Sequence, residues 1–173
     1  MNHNSVAVAM LIVSGVLVTA CAAGPSDELS LLDTKSTIQL LRNETAGRVP
    51  SDILESAVNS EDTSKECDGG DPYRHWWSSV ILIISAERAS EAPDIFAELV
   101  ASYADDGWEV DTAGLREAVL SNEASIAKID ILMTEDGDGD GEGASVEVAV
   151  TGPCVMTDGE GSDEVTRLEE MSR

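Results

Sequence analysis

Apolar side chains fill a continuous stretch in the middle of the chain, residues 76–85, with the sequence WWSSVILIIS. A strand here would divide its aliphatic residues between two faces, Val80, Leu82 and Ile84 on one and Ile81 and Ile83 on the other. Both faces are then apolar, which is typical of a central strand that is covered on both sides. Two layers of helix, or one helix and the N-terminal segment, would provide that cover.

A helical pattern precedes this strand in residues 29–60. Its apolar residues at near-helical spacing are Leu31, Leu32, Ile38, Leu40 and Leu41. Pro50 is placed to open a second short helix, which would carry Ile53, Leu54 and Val58. Residues 59–72 are polar, contain a Gly-Gly pair and are predicted to form a loop.

A further helix is predicted for residues 91–106. Its apolar stripe consists of Ile95, Leu99 and Tyr103. Ser90 is suited to cap the first turn, and Gly107 is the expected C-terminal stop. A second strand is predicted from residue 108 to residue 111. The helix between the two strands implies a right-handed crossover, so these strands should be parallel.

The remaining segments predict short strands. Residues 113–124 fit two structures, because they contain good helix formers but 117–121 would equally form a strand. Residues 126–133 predict a strand with one apolar face, and the alternation in 146–150 predicts the last strand.

These elements together predict a single α+β domain over residues 29–155. An N-terminal helical segment would precede a four- or five-stranded, mostly antiparallel sheet with one crossover helix. Residues 156–173 are mostly polar and are predicted to be a mobile tail. This tail carries a weak helical pattern with Val165 and Leu168.

The acidic composition excludes one broad class of partner. The 173 residues include 34 acidic and 10 basic side chains, which gives a formal net charge of −24. Nucleic acid and anionic lipid bind through basic patches, so we expect neither as a partner. A solvated acidic surface explains the composition, and capture of cations or basic partners is the sharper alternative.

The N-terminal segment indicates where in the cell the protein is located. Residues 6–18 are uncharged and mostly apolar, and they are too short for a membrane span of about 20 residues. They lead into the motif VTAC at 18–21, which resembles the bacterial lipobox. The resemblance implies that Cys21 is diacylated after cleavage of residues 1–20 as a signal peptide. Residues 21–28 would then tether the domain to the extracytoplasmic face of the cell membrane.

Two alternatives to the lipoprotein interpretation stay open. One is an ordinary secretory signal in which Cys21 is incidental, and the other is an uncleaved anchor. Residues 1–5 contain no Lys or Arg, which is atypical of a signal peptide.

Two further cysteines follow Cys21, namely Cys67 and Cys154. An even pair in an oxidising extracytoplasmic compartment predicts a disulfide. The alternative is a Cys–His metal site with His75, which offers few ligands. A disulfide also favours a strand over a helix at 117–121. With that strand, the following meander makes the last strand antiparallel to the first, which brings Cys67 and Cys154 to the same end of the sheet.

The order of these features resembles that of many small lipoproteins of actinobacteria. Those proteins share a lipobox, a helix, a Cys, an aromatic strand, a helix ending in Gly-Trp-x-Val, a β-meander and a second Cys. The matching pieces are Cys67, residues 73–77 (YRHWW), residues 107–110 (GWEV) and residues 153–154 (PC). The resemblance covers most of residues 21–155. It implies a fold and a location, and no general activity is attached to it.

An acidic, glycine-rich segment provides a candidate metal site. Residues 136–147 fit the calcium-loop pattern D-x-[DN]-x-[DN]-G-x5-E. The calcium ligands would be Asp136, Asp138, Asp140, the backbone carbonyl of Glu142, and Glu147. However, the flanks predict strands where an EF-hand has helices, and Glu147 fits the outward side of the last strand. The alternative is an acidic hairpin loop without metal.

Three aromatic residues, Tyr73, Trp76 and Trp77, are concentrated in a chain that has few. They would form a binding platform or, alternatively, pack in the core at the mouth of the central strand. His75 has no evident partner for acid–base catalysis, and no nucleophile elbow or phosphate loop is found.

The sequence therefore favours a non-enzymatic lipoprotein that binds a protein partner or small ligand at the cell envelope. An envelope calcium-binding module is the alternative, and calcium is the only cofactor that the sequence suggests.

Overall fold

A computed structural model of the protein describes residues 29–122, 126–135 and 143–172. Within them the fold is α+β, as the sequence predicts, and combines three α-helices with one sheet. The helices are α1 (Leu31–Gly47), α2 (Ala92–Asp105) and α3 (Asp163–Glu170). The strands are β1 (Leu54–Glu66), β2 (Tyr73–Ile84), β3 (Glu109–Ala113), β4 (Glu117–Asn122), β5 (Ala127–Glu135), β6 (Ala144–Thr151) and β7 (Val155–Met156). No helix in these ranges has the length and apolar character needed to cross a membrane.

All neighbouring strands of the sheet are antiparallel. Their order is β1-β2-β6-β5-β4-β3, and the short β7 pairs with the beginning of β2. β2 and β3 run in the same direction with three strands between them, as the crossover through α2 predicts. β6 lies beside β2 in antiparallel register, with Val148 opposite Val80. The neighbouring, antiparallel arrangement of the first predicted strand and the last one is therefore confirmed.

The cysteine pair joins the ends of these two central strands. Cys67 and Cys154 form a disulfide, and their Cα atoms are 6.2 Å apart. Cys67 lies shortly before β2 and Cys154 shortly after β6, so the antiparallel pairing brings them together. The predicted disulfide is confirmed, and the ambiguous segment at 117–121 is a strand, as the disulfide argument favoured.

The three helices pack on one face of the sheet, which we call the helix face. Its buried strand residues include Val80, Leu82, Val146, Val148, Ile129 and Ile131. Ile38 of α1, Leu99 of α2 and Leu168 of α3 belong to the same core. This single apolar layer between helices and sheet is the core of the domain.

The inner side of α1 is more polar than the sequence predicts. Leu32 and Leu40 are exposed, whereas Lys35 and Arg42 are buried together with Ile38. The buried polar groups have partners, and the guanidinium Nη1 of Arg42 donates to Ser78 Oγ at 2.8 Å. Hydrogen bonds of this kind offset the desolvation of polar groups, so apolar spacing alone does not fix which side of a helix is buried.

The predicted helix at 91–106 is α2, and its details differ at the first turn. A 3-10 helix (Ala86–Glu91) precedes α2, so Ser90 lies inside that turn and is not the cap. The N-cap is Glu91, whose side chain makes no capping hydrogen bond. Gly107 follows the helix with a φ of 84°, a left-handed conformation that suits the predicted stop.

The predictions of a second short helix after Pro50 and of a loop over residues 59–72 are wrong over most of these ranges. Residues 54–66 instead form β1, a strand at the edge of the sheet that pairs with β2 along its length. Val58 is 48% exposed, because β1 contributes backbone hydrogen bonds more than apolar burial. This strand and β7 raise the number of strands to seven, above the predicted four or five.

The C-terminal segment also differs from the predicted mobile tail. β7 and α3 belong to the folded domain, and Val165 and Leu168 are only 2% and 1% exposed. Ser162 caps α3 through its side-chain oxygen, which accepts from the Val165 N–H. Two apolar residues three positions apart are enough to dock one helical turn when a complementary surface is present.

Candidate functional site

The sheet face opposite the helices carries apolar side chains as well, and we call it the open face. Its apolar residues are Val58 of β1, Trp77, Ile81 and Ile83 of β2, Ala149 of β6, Leu132 of β5 and Val119 of β4. The sequence predicts cover on both faces of β2, but the described helices cover only one. α1, α2 and α3 all lie on the same side of the sheet, so the open face has no helical layer within the described residues.

Exposure is distributed unevenly over the open face. Leu132 is 45% exposed and Val58 is 48% exposed, whereas Ile81 and Ile83 are half-buried between neighbouring strands. The result is an apolar strip across several strands, interrupted by charged residues. Exposed apolar side chains grouped on one face of a sheet are characteristic of an interaction site, whereas apolar side chains scattered singly over a surface are ordinary.

A hollow of about 210 Å³ lies on the open face beside Trp77. Leu132 and Ala149 contribute apolar surface to it, and the register places Glu147 opposite Leu132 on the adjacent strand. Glu117 of β4 and Asp130 of β5 also line it. The hollow therefore combines an aromatic and aliphatic surface with three carboxylate side chains.

The charges around this hollow are only partly compensated. Lys128 pairs with Asp130, with Nζ and Oδ1 3.0 Å apart. Neither Glu117 nor Glu147 forms an ion pair with any residue that the structure describes. Both carboxylates are left next to apolar surface without a positive partner from the described chain.

Trp77 is held at the rim of the hollow by a neighbouring lysine. The Lys65 Nζ lies 4.1 Å from the centre of a Trp77 ring, and the same ammonium pairs with Glu61 at 2.8 Å. The Trp77 indole N–H is buried and makes no hydrogen bond to the described part of the chain. A shielded donor without an acceptor costs about 1–3 kcal/mol of stability.

The structure separates the three aromatic residues that the sequence groups together. Trp76 points to the helix face, is fully buried, and donates from Nε1 to Asp62 Oδ1 at 2.6 Å. Lys35 of α1 lies 4.8 Å from its ring centre. Trp77 is on the open face, and Tyr73 is half-buried at the beginning of β2. Trp76 is therefore a core residue, and no platform of three adjacent aromatics forms.

His75 lies beside the disulfide. Its Nδ1 is 3.6 Å from the Cys67 sulfur. Burial lowers the pKa of His75 below its usual value, and the positive charges of Lys65 and Arg74 lower it further. The imidazole is consequently neutral at pH 7. Because Cys67 and Cys154 are oxidised to a disulfide, their sulfurs are not thiolate ligands, and the three residues do not form a Cys–His metal centre in this state.

Several predicted site residues lie outside the described residues. These residues are Cys21, Asp136, Asp138, Asp140 and Glu142. Glu147 is described and lies inside β6, paired between Ile81 and Leu132. It is three positions beyond the first residue of β6, about 10 Å along the strand. The calcium module stays a prediction.

A second cavity, of about 560 Å³, lies between α2 and the segment that joins α1 to β1. Arg48 and Arg88 line it, and both are neutralised by carboxylates. Arg48 Nη2 is 2.6 Å from Asp106 Oδ2, and Arg88 forms a bidentate pair with Glu91. Since these cations are already paired, the described residues that line the groove offer no free positive charge for an anionic ligand.

Comparison with protein-family models, with curated proteins and with solved structures found no match to this chain. The open face was not identified from the sequence, although one signal for it was present. Leu132 interrupts the polar side of β5, where Lys128 and Asp130 occupy the equivalent positions. An exposed apolar residue on the polar side of a strand indicates either a second core layer or a binding surface.

Proposed function

We propose that this protein is a lipid-anchored, extracytoplasmic binding protein of the cell envelope, and that the open face is its binding surface. The observation that carries the binding role is the apolar strip from Val58 to Leu132 on the side of the sheet that the described helices leave uncovered. Burial of such surface by a partner supplies the main favourable free energy of association.

A binding role agrees with the chemistry of the described residues. The histidine of the domain is neutral and adjoins a disulfide, and the two arginines in the larger cavity are paired. A general acid–base mechanism needs titratable groups in hydrogen-bond reach of a substrate position. The hollow instead offers an aromatic ring, aliphatic side chains and carboxylates, which are groups that hold a partner in place.

The anchor would keep the binding surface near the membrane. Lipidation at Cys21 leaves residues 22–28 as the link to the described domain, which begins at Leu29. A chain of this length reaches at most about 25 Å when it is fully extended. The domain would therefore sample partners close to the outer surface of the membrane.

Site-specific photo-crosslinking in the source cells tests the binding surface. A benzophenone amino acid replaces Ile83 or Leu132 in the full chain, and Ala97 on the exposed side of α2 serves as the control position. We expect adducts of defined mass at Ile83 and Leu132 and none at Ala97. Equal adducts at Ala97, or none at either sheet position, would contradict the proposed surface.

Intact-mass analysis of the membrane fraction tests the anchor. We expect a chain that begins at Cys21 and carries a diacylglyceryl group, and we expect Cys21→Ser to release the protein from the membrane. An unmodified Cys21, or a chain that retains Met1, would contradict the anchor without affecting the crosslinking result.

A further inference from the structure

The size of the hollow on the open face limits what it can hold. At about 210 Å³ it is smaller than the roughly 300–1,000 Å³ of pockets that bury a separate small molecule. A volume of this size suits one or two side chains of a larger partner. Apolar side chains continue beyond the hollow at Ile81 and Val58, so an extended segment has apolar surface to follow toward β1.

The carboxylates around the hollow favour a partner that carries positive charge. Glu117 and Glu147 line it without a positive partner among the described residues, and they adjoin Leu132 and Trp77. An apolar partner without charge would bury these carboxylates unpaired, which costs free energy. A partner with Lys or Arg beside its apolar side chains would instead pair with them in a partly desolvated setting.

The charge of the whole chain acts in the same direction. The net charge of −24 repels acidic partners and anionic lipid surfaces, and it steers cationic partners toward the protein. The local carboxylates then decide where such a partner docks.

We propose that the open face binds a basic, amphipathic polypeptide segment, with apolar side chains in the hollow and on Ile81, and with Lys or Arg side chains paired to Glu117 and Glu147. This inference rests on the proposed function and specifies the partner chemistry of the same surface. A lipid surface and a neutral apolar peptide are the competing occupants, and the experiment separates them.

The test measures fluorescence anisotropy of short fluorescein-labelled peptides titrated with the full chain in detergent. The probes are a peptide of alternating Lys and Val and its counterparts with Gln or Glu in place of Lys. We expect the Lys peptide to bind most tightly and its dissociation constant to rise with added NaCl, because exposed charges are screened. We also expect Leu132→Gln to weaken binding of the Lys peptide about tenfold.

A matched pair of double variants separates local pairing from overall charge. Glu117→Gln/Glu147→Gln should weaken the Lys peptide about tenfold, which corresponds to about 1.4 kcal/mol. Glu87→Gln/Glu170→Gln removes the same number of charges from exposed positions away from the open face and should change the dissociation constant less than twofold. Thermal melts of all variants establish that each one is folded.

Three results would overturn the basic-peptide inference. Equal weakening by both double variants would show that the overall charge, and not local pairing with Glu117 and Glu147, accounts for binding. Equal binding of the Gln and Lys peptides, with loss in Leu132→Gln, would keep the open face as the binding surface and make its partner apolar. Binding to neutral phosphatidylcholine vesicles through Leu132, with no binding of any peptide, would make the occupant a lipid surface.

Discussion

The side-chain ammonium of Lys35 in α1 donates a hydrogen bond to the carbonyl oxygen of Leu168 in α3, with Nζ and O 2.6 Å apart. Lys35 is 4% exposed, and it also lies over the ring of Trp76. Leu168 is near the end of α3, where carbonyl groups lack partners within the helix, and its carbonyl oxygen also accepts from Ser172 Oγ at 3.2 Å. This contact fastens the C-terminal helix to the N-terminal one.

Replacement of Lys35 by Met should destabilise the domain by about 1–3 kcal/mol, because the Leu168 carbonyl loses its buried donor while the aliphatic stem is kept. Burial lowers the pKa of Lys35, so part of this loss is offset by removal of a desolvated charge. Urea unfolding measures the change. Lys128→Met, at an exposed lysine paired with Asp130, should change stability by less than about 1 kcal/mol. Equal effects at both positions would contradict a special role for Lys35.

Gly152 directly follows β6 and packs closely against α1. A Cβ atom added there would clash with Thr34 Cγ2 and would lie 3.0 Å from Ile38 Cγ1. Gly152→Ala should therefore destabilise the domain by about 1–3 kcal/mol through overpacking. Gly47→Ala is the control, because a Cβ at Gly47 in α1 meets nothing within 4 Å. It should be neutral or stabilise by up to about 1 kcal/mol. A Gly152→Ala protein as stable as the control would mean that α1 is not packed this closely on the sheet.

The disulfide closes a long loop, since Cys67 and Cys154 are 87 positions apart in sequence. Its removal in Cys67→Ser/Cys154→Ser should lower the free energy of unfolding by about 4–5 kcal/mol, mainly because the unfolded chain is less restricted. Chemical denaturation of the variant and of the oxidised protein measures the difference. Reduction of the natural chain by dithiothreitol should give the same lowered stability, and a variant as stable as the oxidised protein would sink this expectation.

His75 gives the stability a pH dependence of known sign. Its pKa is lowered in the folded protein by burial first and by Lys65 and Arg74 next. Between that lowered pKa and its usual value of about 6.5, the unfolded chain binds more protons than the folded one. This contribution to stability is therefore present at pH 7 and is lost as the pH falls through that interval.

The check compares urea unfolding of the natural protein and His75→Gln at pH 7 and pH 5. The many carboxylates titrate in both proteins, so the difference between them isolates His75. We expect the variant to lose less stability on acidification. The same pH dependence in both proteins would show that the folded environment does not disfavour protonated His75.

Calcium addition separates the leading proposal from its alternative. A calcium module saturated at about 100 times its dissociation constant should gain about 2.7 kcal/mol, and Asp138→Asn/Asp140→Asn should abolish that gain. The position of Glu147 within β6, between Ile81 and Leu132, favours a role on the open face. We therefore expect thermal melts of the full chain to be the same with calcium and with chelator. A calcium-induced increase in melting temperature that the double variant lacks would make the calcium module the leading proposal.

Local patterns in the sequence determined much of the architecture. The alternation of Val80, Leu82 and Ile84 in β2 and of Val146, Val148 and Val150 in β6 predicted their strands, because these side chains repeat with the period of a sheet. The sequence also predicted α2, from the helical spacing of its apolar residues, and the disulfide, from the even pair of cysteines. Each of these predictions depends on only a few residues.

Other elements were decided by contacts between distant segments. β1 is mostly polar and exposed, and its strand conformation comes from backbone hydrogen bonds to β2, which no side-chain pattern records. α3 has two buried apolar residues, and its docking depends on the surface that α1 presents, including the Lys35 ammonium.

The candidate binding surface was also decided by how distant segments pack together. The sequence by itself determined that β2 is apolar on both faces, because side-chain alternation is a local property. Only the tertiary structure decided that all three described helices pack on one of those faces. As a result, Trp77, Ile83 and Leu132 lie on the side of the sheet that the described helices do not cover.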